Sequence, residues 1–427
     1  MKKVLVFSIF SLPLNVIASY RSMAYLKHLK GHGLEPTLIT QTFGKDELTT
    51  EQYEYGKIIR VPLHTGSFAV KLLALLERTP LLNKVAILLR WIFGDLDPSH
   101  ADVAQFLGMK KYCLEQVDFA EYDLMIGIFS PHHHLKLCYQ LNKKFGTPYV
   151  LDFRDLWDNR VIHDKYNPNL VEHLQDRITR RYWKKWIDKS LFFAITSEAW
   201  KAKVNTFSKK QGVVIHNGFD HEYFDDFGKE KKTKEFVVLH SGSVYEHQEL
   251  DIFLEGCADF IRGEQPTNFK VKFIGADRNS SEGQLSGFMQ NPRKTILSWL
   301  PEKFVEISPR ISKEELRSHY LDCQLLLFPS FPQSPGTYAG KVFDYLGARK
   351  NIMVIPSDDV VSALVSRTQS GNVFDNKEQV SVFLKKSYES WVRLGYLPYK
   401  GDEKEILNYA RMNQVKNLAR HYKTVIA

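Results

Sequence analysis

Ser334–Ala348 reads S-P-G-T-Y-A-G-K-V-F-D-Y-L-G-A. The stretch before it, Gln324–Pro329 or Q-L-L-L-F-P, is a short apolar run closed by proline, the pattern of a buried parallel strand. Pro335, Gly336 and Gly340 mark a loop, and Val342, Phe343 and Leu346 then recur at helical spacing. The unit is a strand, a glycine-bearing loop and a helix N-terminus. The unpaired amides and positive dipole end of such a terminus suit a diphosphate. Asp344, about one turn into the helix, could accept hydrogen bonds from ribose hydroxyls. An ordinary βα unit whose aspartate simply matches the helix dipole fits the same residues.

K-V-F-D-Y-L-G-A, followed by R-K-N-I-M-V-I, resembles the C-terminal nucleotide-binding motif of glycosyltransferase family 4, K-[LIV]-F-[ED]-Y-[LM]-A-x-G-[KR]-P-[IV]-L. Other landmarks follow in family order along nearly the whole chain. The resemblance implies an α/β architecture of the GT-B type: two Rossmann-like domains with parallel sheets facing across a cleft. It implies an acceptor-binding domain over 1–225, a nucleotide-sugar-binding domain over 226–402, and a C-terminal helix, 403–427, packing back on the first. The implied activity is retaining transfer from a UDP- or GDP-sugar to a glycan or lipid-linked acceptor, in cell-surface polysaccharide biosynthesis, with no metal and no cofactor.

The donor residues follow from the same motifs. Lys341 would stabilise the leaving diphosphate, with Ala339, Gly340 and Asp344 beside it. Phe236–His240 followed by S-G-S-V-Y-E-H resembles the family's H-x-G-[ST]-[LV]-Y, where Gly242 and Ser243 offer backbone amides. Many members carry an Arg and a Lys after that glycine. Tyr245, Glu246, His247 and Gln248 stand there instead, which leaves Lys341 and Arg310 as the candidate cations. V-E-I-S-P-R-I-S, at Val305–Ser312, resembles the strand and loop that pack on the nucleotide base, through Arg310 and Ile311. The family's two glutamates, with seven residues between them, fall at Gly336 and Asp344, and Gly336 has no side chain. Two rival readings are a GT-B sugar-nucleotide epimerase, which needs no acceptor, and a degenerate subunit or membrane scaffold, whose role Asp344→Ala would leave intact.

A chain of 427 residues is comfortable for two domains, and 44% hydrophobic with 25% charged residues is ordinary for a globular protein. The net charge of +9 favours anionic partners. No nucleic-acid motif accompanies it and the basic residues are scattered, so nucleic acid is not expected. Cys113, Cys138, Cys257 and Cys323 have no paired spacing and fit a reducing, cytoplasmic setting. Lys2 and Lys3 before V-L-V-F-S-I-F could open a signal peptide. A first strand, Lys3–Phe10, explains more, because a helix from Tyr20 and a strand Glu35–Thr40 follow it.

In the first domain Arg21 opens that helix, as a residue reaching the cleft or as a structural ion pair. Gly66–Gly94 alternates Leu, Trp and Phe with Lys71, Arg78, Lys84 and Arg90, broken by Pro80. It is either a helical hairpin packed on its own domain or a membrane-surface segment of a peripheral protein on the inner face. Asp95-Leu96-Asp97 reads as a helix-initiating turn rather than a metal pair. Ser130–His134, S-P-H-H-H, ends a strand where open α/β sheets bind ligands, and His132 is the candidate for substrate. Pro148–Asn159, P-Y-V-L-D-F-R-D-L-W-D-N, resembles P-[WY]-[IV]-x-D-[FLY]-R-D-P-W of one family branch. Asp152, Arg154 and Asp155 are candidates for the acceptor, Asp155 for its orientation or proton acceptance, or else they form a network that only shapes the loop.

Overall fold

The computed structural model describes residues 1–14, 16–43, 47–92, 94–97, 99–156, 169–277 and 289–426. Trp157, Asp158 and Asn159, the end of the motif beginning at Pro148, lie outside them. The chain divides into two units, one built from residues up to 217 together with 411 onward, the other from 218–410. Sequence reading put those boundaries at 225 and 403. The difference has a packing cause. Phe219, Phe224, Ile406, Tyr409 and Ala410 are buried in the core of the second unit.

The first unit holds β1 Lys2–Phe7, β2 Leu34–Gln41, β3 Thr49–Tyr53, β4 Gly56–Val61, β5 Leu124–Phe129, β6 Tyr149–Phe153, β7 Phe193–Ile195 and β8 Gly212–Val214. Their order among the described residues is β3-β4-β2-β1-β5-β6-β7-β8. Neighbours are parallel except β3 and β4. The apolar N-terminal stretch is therefore β1, in the middle of the sheet, flanked by β2 and β5. Strand order reverses between β1 and β5, which creates a crevice at their C-terminal ends. The helix Arg411–Ile426 closes one face: Val415, Leu418, Ala419 and Tyr422 are buried with Val4, Val6 and the helix Ile17–His28. The single C-terminal helix expected over 403–427 is two, Glu403–Leu407 and Arg411–Ile426.

The second unit holds β9 Phe236–Ser241, β10 Phe269–Ile274, β11 Val305–Ser308, β12 Leu325–Pro329, β13 Asn351–Ile355 and β14 Gly371–Val373, all parallel, in the order β11-β10-β9-β12-β13-β14. Alternate residues of these strands enter two cores. Val238, Val271, Phe273, Leu325, Leu327 and Met353 pack on one face. Val237, Leu239, Leu326, Phe328, Ile352 and Val354 pack on the other. Both faces are covered, so the strands read as unbroken apolar runs. Order reverses between β9 and β12, and the loops after those two strands carry the stretches that resemble the family's nucleotide-binding motifs.

One buried ion pair braces the first unit. Arg21 donates from Nε to Asp152 Oδ2 at 2.7 Å and from Nη2 to Oδ1 at 2.6 Å. Its Nη1 reaches Ile215 O, His216 O and Asn217 Oδ1, and Tyr25 OH donates to Asp152 at 2.7 Å. Burial disfavours the guanidinium charge, but Asp152 more than offsets it, so Arg21 stays ionised. Removing one partner strands the other charge. Asp152→Ala is expected to cost about 3–5 kcal/mol, read as a fall in the urea midpoint, and a cost below about 1 kcal/mol would contradict this bracing role.

Candidate functional site

β9 delivers Gly242 and Ser243 to the crevice of the second sheet, and the loop after β12 delivers Gly340 and Lys341. Gly242 has φ +90°, a conformation that favours glycine, and its N–H bonds Ile274 O at 2.7 Å. A Cβ there would also touch Lys341, whose Nζ lies 3.4 Å from its ideal position. Lys341 Nζ donates to Ser243 O at 3.1 Å and to His240 Nε2 at 3.2 Å. His240 Nδ1 faces Leu327 O at 3.1 Å, and a carbonyl only accepts, so Nδ1 carries the proton and Nε2 is the acceptor. Burial, then Lys341, lowers the His240 pKa to about 3, so the ring is neutral.

Arg310 Nη2 approaches Ser243 Oγ at 3.5 Å from the loop after β11. Two cations thus converge on Ser243. No carboxylate among the described residues pairs with either. Burial, then the charge of Arg310, lowers the Lys341 pKa to about 7. The helix Lys341–Ala348 begins here, and within the described residues no backbone hydrogen bond engages the amides of Ala339, Gly340 or Lys341. Free amides, a helix dipole and two cations without a carboxylate partner are an arrangement able to receive an anion. Asp344 is half-buried in the first turn of the same helix. Ile311 is half-buried beside Arg310, just before the Ser312 cap of the helix Lys313–Asp322.

The residues at the family's Arg–Lys positions have other work. Gln248 is buried, donating to Pro329 O and accepting from Tyr245 N, which ties the β9 loop to the end of β12. Tyr245 and His247 pack on Phe331. Gly336 has φ +81° and donates its N–H to Asp359 Oδ2 at 2.8 Å. Where the family motif has glycine after this helix, Arg349 takes φ +50°. Its guanidinium compensates with bonds to Gly347 O at 2.7 Å and Glu403 at 2.6 Å. Gly347 itself admits Phe224, whose ring would lie 2.5 Å from an added Cβ.

In the first unit the candidates separate. Arg21 and Asp152 are buried and satisfy each other, so the structure does not present them to a ligand. Asp152 is taken, and among the described residues Arg154 instead lies over the Phe10 ring, 5.2 Å from its centroid, with Nε unsatisfied. Asp155 is half-buried and accepts from Leu156 N at 3.0 Å. Burial raises its pKa, partly opposed by Arg154.

Asp95-Leu96-Asp97 precedes a capped helix, with Ser99 and Asp102 forming the capping box of His100–Gln116. Asp97 does more. It accepts from His132 N at 2.8 Å and His133 N at 2.7 Å, capping the helix His133–Phe145 from a distance, and faces His132 Nδ1 at 3.1 Å. A carboxylate only accepts, so His132 Nδ1 carries a proton, while Nε2 is buried with no partner among the described residues. Phe129 and Trp183 fix that ring. Burial opposes the Asp97 charge, but His132 and His133 outweigh it and hold the carboxyl well below its ordinary range. Asp97 therefore stabilises the fold above the unfolded value of 3.8, and the gain is lost as pH falls through the lower folded value. Asp97→Asn is expected to cost about 1.5–3 kcal/mol at pH 7. The gap between the two proteins should narrow as unfolding is followed below pH 3.8, and a gap independent of pH would contradict the account.

No family model matches the chain, and no curated protein matches it. Solved structures do. A sucrose-phosphate synthase from Thermosynechococcus elongatus aligns over 100% of this chain and 99% of its own, with TM-score 0.65 and 12% identity. Anabaena HepE in complex with UDP aligns over 99% and 100%, with TM-score 0.59 and 11% identity. A UDP-forming α,α-trehalose-phosphate synthase from Burkholderia vietnamiensis aligns over 99% and 100%, with TM-score 0.60 and 10% identity. The fold is the two-unit α/β GT-B fold of glycosyltransferases.

Proposed function

We propose that this chain is a glycosyltransferase that moves a sugar from a nucleotide-diphosphate sugar to a glycan or lipid-linked acceptor, with retention at the anomeric carbon, in cell-surface polysaccharide biosynthesis. The observation that carries the reading is the unpaired Lys341–Arg310 pair at Ser243, beside free helix amides. The likeness in fold to enzymes described as UDP-forming supports a UDP-sugar as the first donor to test. Lys341, Arg310 and the amides of Gly340, Ala339 and Ser243 hold the diphosphate, and Gly242 gives it close approach. Asp344 takes the ribose hydroxyls and Ile311 packs on the base.

In the reaction the bond from the anomeric carbon to the diphosphate oxygen breaks and the bond to the acceptor oxygen forms. The negative charge that grows on the leaving diphosphate meets cations already in place, so little reorganisation is needed. The acceptor proton passes to the leaving phosphate, and no strong general base is required. The acceptor hydroxyl is held near Asp155 or His132, and Arg154 contributes to acceptor binding. A protein serving a lipid-linked acceptor would be peripheral on the inner face of a membrane.

Thermal unfolding with UDP, GDP and UDP-glucose, without metal, tests the donor site, because a ligand of the native state raises the melting temperature. A shift with one nucleotide is expected. Asp344→Ala should weaken that binding by roughly tenfold or more, the value of one to two charged hydrogen bonds. Asp155→Asn should keep the shift while losing acceptor-dependent transfer. An unchanged shift in Asp344→Ala, or no shift with any nucleotide in a folded protein, would overturn the reading.

A further inference from the structure

The helices Phe68–Leu76 and Pro80–Ile92 present apolar stripes to solvent. The first turns Val70 inward and leaves Phe68, Leu72 and Leu75 exposed, Phe68 by 79%. The second turns Ala86 inward and leaves Leu81, Val85, Leu88 and Ile92 exposed, Leu81 by 72%. Both sets follow the three-to-four-residue spacing of one helix face. Single exposed leucines are ordinary, but a stripe of them on each of two successive helices marks a contact surface.

Charge selects the partner. Lys71, Arg78 and Lys84 are exposed among the stripes. The acid within the hairpin, Glu77, is turned aside to His100, accepting from its N at 2.6 Å and facing its Nδ1 at 2.5 Å. An apolar face studded with cations and cleared of free carboxylate fits an anionic lipid surface better than a protein patch. At 9 and 13 residues the helices are too short to span a bilayer, and no helix of the described residues is long and apolar enough to cross one.

We infer that the outer face of the 68–92 hairpin docks flat on an anionic bilayer, its leucine and phenylalanine side chains entering the headgroup boundary and its lysines and arginine meeting lipid phosphates. The inference agrees with a lipid-linked acceptor, but it stands on this surface alone and needs neither nucleotide nor transfer.

Flotation of the full-length protein with vesicles tests it. Vesicles of phosphatidylcholine with phosphatidylglycerol should carry the protein, pure phosphatidylcholine vesicles should carry much less, and 0.5 M salt should release most of it. L81E/V85E/L88E and, separately, K71E/R78E/K84E should each cut the bound fraction about tenfold or more. All six positions are exposed, so melting temperature and any nucleotide shift should match the parent. Absence of parent flotation, or flotation of either variant equal to the parent's, overturns the proposal. So does a concentration-dependent dimer in vesicle-free solution that L81E/V85E/L88E abolishes, since a second copy would then be the occupant.

Discussion

Lys341 and Arg310 repel each other, and the fold holds them together at one serine. An ammonium enclosed beside a guanidinium, with no paired carboxylate among the described residues, costs free energy in the absence of an anion. The arrangement survives because the second sheet supplies fixed partners. Ser243 O and His240 Nε2 accept from the ammonium, and Leu327 O locks His240 in the tautomer that can do so. His240 is a positioning residue in this scheme. A charged crevice at the point where strand order reverses suits the diphosphate leaving group of the proposed reaction.

The first unit handles charge in the opposite way. Arg21 and Asp152 neutralise each other in the interior, and Asp97 is satisfied by two helix amides and a histidine. The chemistry left at the ends of β5 and β6 is modest: one buried histidine nitrogen, one half-buried carboxylate and one arginine laid on an aromatic ring. That contrast suits a division of labour in which electrostatic stabilisation belongs to one unit and acceptor placement to the other.

Much of the second unit was legible in the sequence, because its strands are short apolar runs and its motif loops follow them directly. Gly242, Ser243, Arg310 and Lys341 lie on three different strand-to-helix loops, and parallel sheet order alone gathers such loops at one edge. What the sequence hid were pairings across long separations. Arg21 and Asp152 each follow a recognisable motif, yet nothing local says that they consume one another across 131 residues. Asp97 as the cap of a helix 35 residues later is equally invisible. His240 was one letter of a motif until its two ring nitrogens acquired partners. The unit boundaries moved because Phe219 and Phe224 pack into the second core, a choice made by tertiary contact rather than by the charged segment that follows them.

The account rests on an anion restoring the charge of Lys341, and calorimetric titration with UDP at pH 8 tests that most directly. The free ammonium has its pKa lowered to about 7, below that pH, and a bound diphosphate raises it again. Binding should therefore take up close to one proton from the buffer, seen as a linear dependence of the apparent enthalpy on buffer ionisation enthalpy. The uptake should vanish in Lys341→Met. Binding without proton uptake, or with the same uptake in that variant, would contradict the central role given to Lys341.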